Sequence, residues 1–239
     1  MKTMVVGASK GLGKALIEGL GEAGDTLLGV SRSRPEHLDH KAGVEVKWME
    51  ANLAKPAQAA QVIAETILES GLDTLIYNLG IWEEFAFDPT YNFLADDDDQ
   101  IEAIVTCNIT STLLLIKRLL PVLLKSPNPR IILTGSTSGL PQSGRPEVAF
   151  GASKFALRGI ADALREGYRQ QRLAVTCLNL GYLNTQDPLS TPRAQAEQRD
   201  EGHSIPVHDV VQVVRMALSL SSASFVKEIT LPAILDERF

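Results

Sequence analysis

With only two cysteines and four histidines in 239 residues, the chain has little material for a disulfide framework or a metal cluster. Cys107 lies in a helical pattern and Cys177 in a strand-like run, so both read as buried apolar thiols in a reducing compartment. A basic excess is also missing: 23 Lys and Arg against 29 Asp and Glu leave a net charge of −6. A nucleic-acid-coating surface needs the opposite sign, so no nucleic-acid partner is expected. There is no export signal, because the run after Met1 enters a strand at once and is too short for a secretory h-region. The most apolar stretch, Leu113 to Leu124, is interrupted by Lys117, Arg118 and Pro121, which argues against a membrane span. No repeat and no linker divides the chain. A soluble cytoplasmic protein of a single domain, with a large core drawn from 44% hydrophobic residues, is the expectation.

What is present is an alternation of short apolar runs and helical patterns. Strands are expected at Thr3–Val6, Thr26–Val30, Val44–Met49, Thr74–Tyr77, Arg130–Thr134, Ala174–Leu178 and Glu228–Leu231. Most are apolar throughout, as strands covered on both faces should be. Helices are expected at Leu12–Glu22, Pro56–Ser70, Asp97–Leu120, Phe150–Gln170 and Val207–Ser221, with Pro56 in a first turn and Gly24 and Gly71 as stops. This order specifies an α/β fold of the Rossmann type: a doubly wound, parallel, seven-stranded sheet with helices on both faces. The long polar connection 181–206 carries Pro188, Pro192 and Gly202 and a weak helical patch at Arg193–Arg199. Connections of this length in a compact domain are usually functional, and a mobile flap over a site is the reading adopted. The run Asp96-Asp97-Asp98-Asp99 precedes a helix, where acids offset the dipole and cap free N–H groups, so no metal is assigned to it.

The chemistry begins at Gly7-Ala8-Ser9-Lys10-Gly11-Leu12-Gly13, between the first strand and the first helix. Glycines there allow a tight turn and close backbone approach, and the helix N-terminus offers N–H groups and a positive end to a pyrophosphate. A P-loop would need glycine at Ala8 and serine or threonine at Ala15. An NAD site places an acid at the end of the second strand, whereas an NADP site offers a cation there. This strand ends Val30-Ser31-Arg32-Ser33, and Arg32 is suited to paired bonds with a phosphate. NADP(H) is the expected cofactor.

Taken in order, these segments resemble the short-chain dehydrogenase/reductase family over nearly the whole chain. The glycine spacing matches, with Val6 where the family commonly has threonine and Lys10 where similar members carry a second cation. Asn52-Leu53 resembles the pair beside the adenine, Tyr77-Asn78-Leu79-Gly80 the Asn-Asn-Ala-Gly signature, and Asn179-Leu180-Gly181 the Asn-Pro-Gly turn. The resemblance assigns Asn78, Gly80 and Gly181 to the cofactor wall and Thr185 to the nicotinamide amide. It makes Asn108, Ser136 and Lys154 three members of a catalytic tetrad. Asn108 would support a bound water, Ser136 would polarise a carbonyl, and Lys154 would bond the ribose. Thr137 and Ser138 are neighbouring hydroxyls to Ser136. The fourth member, a proton-donating tyrosine, is replaced by Phe150, one helical turn before Lys154.

The resemblance therefore implies an oxidoreductase acting on a small carbonyl compound, as a homodimer or homotetramer. The alternative it leaves open is an NADP(H)-binding sensor or scaffold without catalysis. Tyr182 is a second candidate proton donor. Leu140, Trp82 and Tyr182 should line an apolar pocket.

Overall fold

The computed structural model describes residues 1–237. In chain order the elements are β1 Lys2–Val6, α1 Gly11–Leu20, β2 Thr26–Ser31, β3 Glu45–Glu50, α2 Pro56–Ile67, β4 Thr74–Tyr77, α3 Asp98–Val105 and α4 Ser111–Leu123. They continue with β5 Arg130–Thr134, α5 Val148–Gly167, β6 Ala174–Leu180, β7 Leu183–Asn184, α6 Arg193–Gln198, β8 Ile205–Pro206, α7 Val207–Ser219 and β9 Glu228–Leu231. Seven strands form one sheet in the order β3-β2-β1-β4-β5-β6-β9, and every pairing is parallel. The expected doubly wound α/β sheet in a single domain is therefore what the chain adopts.

Alternation along each strand feeds two cores. Met4, Val6, Leu75, Tyr77, Ile131, Leu133 and Cys177 face α2, α4 and α5. Val5, Ile76, Ile132 and Leu178 face α1 and α7 on the other side. The strand order reverses between β1 and β4, which opens a crevice at their carboxyl ends. The loops after β1 and β4, carrying Gly7 and Asn78, meet there, and Asn78 N–H donates to Val6 O at 3.0 Å.

Three local expectations need correction. The helix expected over Asp97–Leu120 is interrupted by one wide π-turn at Thr106–Thr110 and then runs to Leu123. The turn is anchored from the sheet, where Tyr77 Oη donates to Cys107 O at 3.2 Å. Pro121 does not end α4, because buried Val122 and Leu123 hold its last turn in the core. Second, the helices expected to reach Glu22, Ser70 and Gln170 stop at Leu20, Ile67 and Gly167. Third, β6 runs on to Leu180, because β9 pairs with it to that point. The stretch 98–123 has the length and apolar content to cross a membrane, but 50% of its most apolar window is buried inside the fold.

The connection 181–206 has internal order. β7 and β8 pair, Asn184 Nδ2 donates to Asp187 Oδ2 at 2.8 Å, and Arg199 Nη2 donates to Asp187 Oδ1 at 2.8 Å. Ala196 of α6 is buried within it. The polar sequence thus serves a local network of hydrogen bonds within this connection. Asp97 caps α3 by accepting from Asp99 N–H at 2.8 Å, the role its position implies.

Candidate active site

The glycine loop is a cradle with no spare room. Gly7 has φ +80°, and a Cβ there would lie 3.0 Å from the Leu79 backbone. A Cβ on Gly13 would lie 2.0 Å from Gly7 O, so the first turn of α1 packs directly on the loop. The first N–H groups of α1 have no partner within the helix, and no side chain caps them, an arrangement suited to a pyrophosphate. Lys10 stands exposed at the helix cap, and Arg32 stands exposed just beyond β2. Asn52 turns its own loop by accepting from Ala54 N–H at 3.1 Å, and Leu53 is buried beside it. Asn78 Nδ2 reaches Gly7 O at 3.5 Å, linking the two loops. From the flap side, Thr185 Cγ2 would be 3.3 Å from a Cβ on Gly11. Gly181 N–H donates to Leu231 O at 2.9 Å, which fixes where the flap leaves the sheet. Gly7, Gly11, Gly13, Asn78 and Thr185 therefore meet around the loop after β1, with Ser9 inside it, while Leu12 and Leu53 are buried in the two cores.

Lys154 is the ionisable centre of the site. It is buried on α5, and its Nζ donates to Thr134 O at 3.0 Å. A Cβ on Gly80 would be 3.1 Å from that Nζ, which places the amine against the loop after β4. Burial pushes the Lys154 ammonium down to about 8, from an ordinary value of 10.5. Asn108 sits in the wide turn between α3 and α4. Its Oδ1 accepts from Ile81 N–H at 2.9 Å, and its Nδ2 donates to Ile81 O at 2.8 Å and to Ser153 Oγ at 2.9 Å. The amide thus clamps the loop after β4 to α5. Ser136 follows β5 and accepts from Ser138 N–H at 3.1 Å, opening a short turn whose Gly139 packs on the Lys154 backbone.

Phe150 is buried one turn before Lys154, and Lys154 Nζ lies 5.4 Å from its ring centre. Its ring meets Phe87 edge-on at 5.6 Å and Trp82 at 6.3 Å, and Phe87 meets Tyr182 at 5.5 Å. Trp82 and Tyr182 thus belong to one aromatic cluster with Phe87 and Phe150. Phe87 was missed by sequence reasoning. It adopts φ 72°, a left-handed conformation rare for a bulky residue, with a cost on the order of 1–3 kcal/mol.

Two buried carboxylates were missed as well. Glu83 Oε1 accepts from Phe150 N–H at 2.9 Å, and Glu147 Oε1 accepts from Phe87 N–H at 3.0 Å. The two bonds cross between the loop after β4 and the start of α5. Glu83 caps the helix, while Glu147 holds the strained Phe87 backbone. An acid directly before α5 was a visible signal for Glu147. Nothing in Trp82-Glu83-Glu84 marks which glutamate turns inward.

A family model described as short chain dehydrogenase matches residues 2–195. The chain is 28% identical over 193 residues to an uncharacterized oxidoreductase, YciK, of Escherichia coli, covering 76% of this chain and 73% of that one. It is 26% identical over 186 residues to the 3-oxoacyl-[acyl-carrier-protein] reductase FabG of Escherichia coli, covering 76% and 73%. An alcohol dehydrogenase of Thermococcus sibiricus, solved with 5-hydroxy-NADP, shares the fold at a TM-score of 0.76 with 18% identity, covering 98% and 96%. With the family match spanning most of the sheet and the crevice lined as described, this chain belongs to the short-chain dehydrogenase family.

Proposed function

We propose that the protein is an NADP(H)-dependent oxidoreductase that reduces a carbonyl or related acceptor of apolar character. The observation that carries this reading is Lys154, a buried amine lodged between Gly80 and Thr134 O beside the dinucleotide cradle. A buried lysine is costly unless a bound partner uses it. Proximity of Thr185 to the glycine loop and the tight cradle at Gly7 and Gly13 fit a nicotinamide dinucleotide. Arg32 and Lys10, with no acid at the end of β2, fit its 2′-phosphate. The solved relative with 5-hydroxy-NADP supports the same choice.

The cofactor supplies a hydride when bound. The rest of the chemistry falls to side chains. Ser136 Oγ would donate to the acceptor's carbonyl oxygen and stabilise the charge that develops on it. Phe150 has no proton to give. Lys154 Nζ, held near 8, carries one at neutral pH and would pass it through water to that oxygen. Asn108 is a positioning residue, because its clamp on Ile81 and Ser153 sets where Gly80 and α5 stand. The aromatic wall of Trp82, Phe87 and Tyr182 and the ordered flap at 181–206 would exclude bulk water. Assembly into a homodimer or homotetramer in the cytoplasm belongs to the same reading.

A second reading is an NADP(H)-binding sensor or scaffold. It is favoured by one observation: the Phe150 ring is packed edge-on by Trp82 and Phe87, an apolar arrangement without a hydroxyl partner.

Fluorescence titration with NADPH and NADH tests the binding step common to both readings. NADPH should bind more tightly, and Arg32→Ala should lose most of that preference. Equal affinities, or a preference untouched by Arg32→Ala, contradict the assignment.

A further inference from the structure

The aromatic wall ends on an arginine whose donors are not used up. Arg145 and Asp236 are both buried, with side-chain exposures of 3% and 2%. Arg145 Nη2 donates to both oxygens of Asp236, at 2.9 and 2.8 Å. The guanidinium lies over the Tyr182 ring at 4.4 Å. Its Nε and Nη1 are buried and have no hydrogen-bond partner among the described residues. An unengaged buried donor is costly, and three N–H bonds on these two nitrogens await an acceptor. From Tyr182 the wall continues through Phe87 to Phe150, at 5.5 and 5.6 Å, and Lys154 Nζ stands over Phe150. The aromatic wall therefore runs from the proposed proton source to buried guanidinium donors that no described residue engages.

Charge decides what those donors would take. Asp236 already balances Arg145, and two further buried carboxyl groups, Glu83 and Glu147, hold the same loop to α5. A substrate anion would add a negative charge beside three buried carboxylates, Asp236, Glu83 and Glu147, at a high desolvation cost. A neutral oxygen acceptor meets the donors without that penalty.

We propose that Arg145 forms a second substrate subsite, which holds an uncharged oxygen acceptor (an ester, amide or thioester carbonyl) at a distance from the carbonyl that is reduced. The inference deepens the reductase reading and rests on it for the site's location. The substrates it selects are apolar keto compounds with a second, neutral carbonyl, ahead of simple ketones and keto acids.

The test is binding to NADPH-loaded protein, read from cofactor fluorescence, with butyrophenone, ethyl benzoylacetate and benzoylacetate as probes. The keto ester should bind about tenfold more tightly than the ketone, the range of a charge-assisted hydrogen bond, and the acid should bind more weakly than the ester. Arg145→Met should bring the ester-to-ketone ratio close to one. Arg145→Lys, which keeps a cation for Asp236 but loses the planar donors, should also reduce it. Equal binding of ester and ketone by the unaltered protein overturns the subsite, as does tightest binding of the acid or a ratio unchanged in both variants. Turnover is read separately. If none of the probes consumes NADPH while the ester preference in binding stands, the reductase reading fails and the subsite survives.

Discussion

Phenylalanine and tyrosine differ by one hydroxyl, and on the proposed reductase reading the hydroxyl missing at position 150 is the one a proton donor would carry. The ring is already seated by Trp82 and Phe87, so Phe150→Tyr keeps its packing and adds an acid near the Lys154 ammonium. A cation at that distance favours the phenolate and lowers the phenol's pKa. Carbonyl reduction by the variant should rise about 10²-fold, the lower end of general-acid effects, measured as NADPH consumption at saturating cofactor. Lys154 gives a prediction with two signs. On the proposed reading its protonated form is the acid, so the rate should fall as pH rises through about 8. Its pKa is depressed by burial from 10.5 to about 8, so the folded state binds fewer protons than the unfolded state between those values. Stability should therefore rise with pH across that window. Lys154→Met removes both effects: activity is lost, the melting temperature at pH 7 increases, and the rise above about pH 8 disappears. Thermal melting at pH 7 and at about pH 9.5, beside the pH–rate profile, checks all three.

At the scale of elements, the parallel sheet was legible because most of its strands are continuous apolar runs bounded by turn residues. β4 and β5 were located to the residue. The glycine loop was legible for a local reason too: strand, glycines and helix occur in sequence, and Gly7 takes a positive φ that glycine adopts freely. The π-turn holding Asn108 was not, because its cause is a hydroxyl on another element, Tyr77 of β4. Periodicity reports which face of a helix is apolar and is silent on a wide turn imposed from outside. The crossed bonds of Glu83 and Glu147 were hidden for the same reason. Each glutamate is matched to a backbone N–H some 60 residues or more away in sequence, Glu83 to Phe150 and Glu147 to Phe87. Arg145 lies in a polar loop whose composition resembles any surface turn, and only the fold shows it buried. Side chains that act through distant backbone leave no spacing to read.

On the scale of the whole molecule, α4 and α5 leave apolar side chains on the surface. Leu113 is 46% exposed and Phe155 42% exposed, with Val105 and Val148 also open at the ends of α3 and α5. Two copies facing each other through these helices would bury both sets symmetrically. Light scattering at micromolar concentration should give the mass of a dimer or tetramer, and a monomer's mass would refute this. The central proposal, that this chain reduces carbonyl compounds with NADPH in the absence of the tyrosine, rests on the sheet, the crevice at its switch point and the buried lysine. The most direct test is NADPH consumption by the unaltered protein and by Phe150→Tyr against a panel of aromatic ketones, keto esters and enones. Slow but saturable consumption by the first, and about 10²-fold faster consumption by the second, is the predicted result. Tight NADPH binding by both proteins with no consumption by either would contradict it and leave the cofactor-binding, non-catalytic reading in its place.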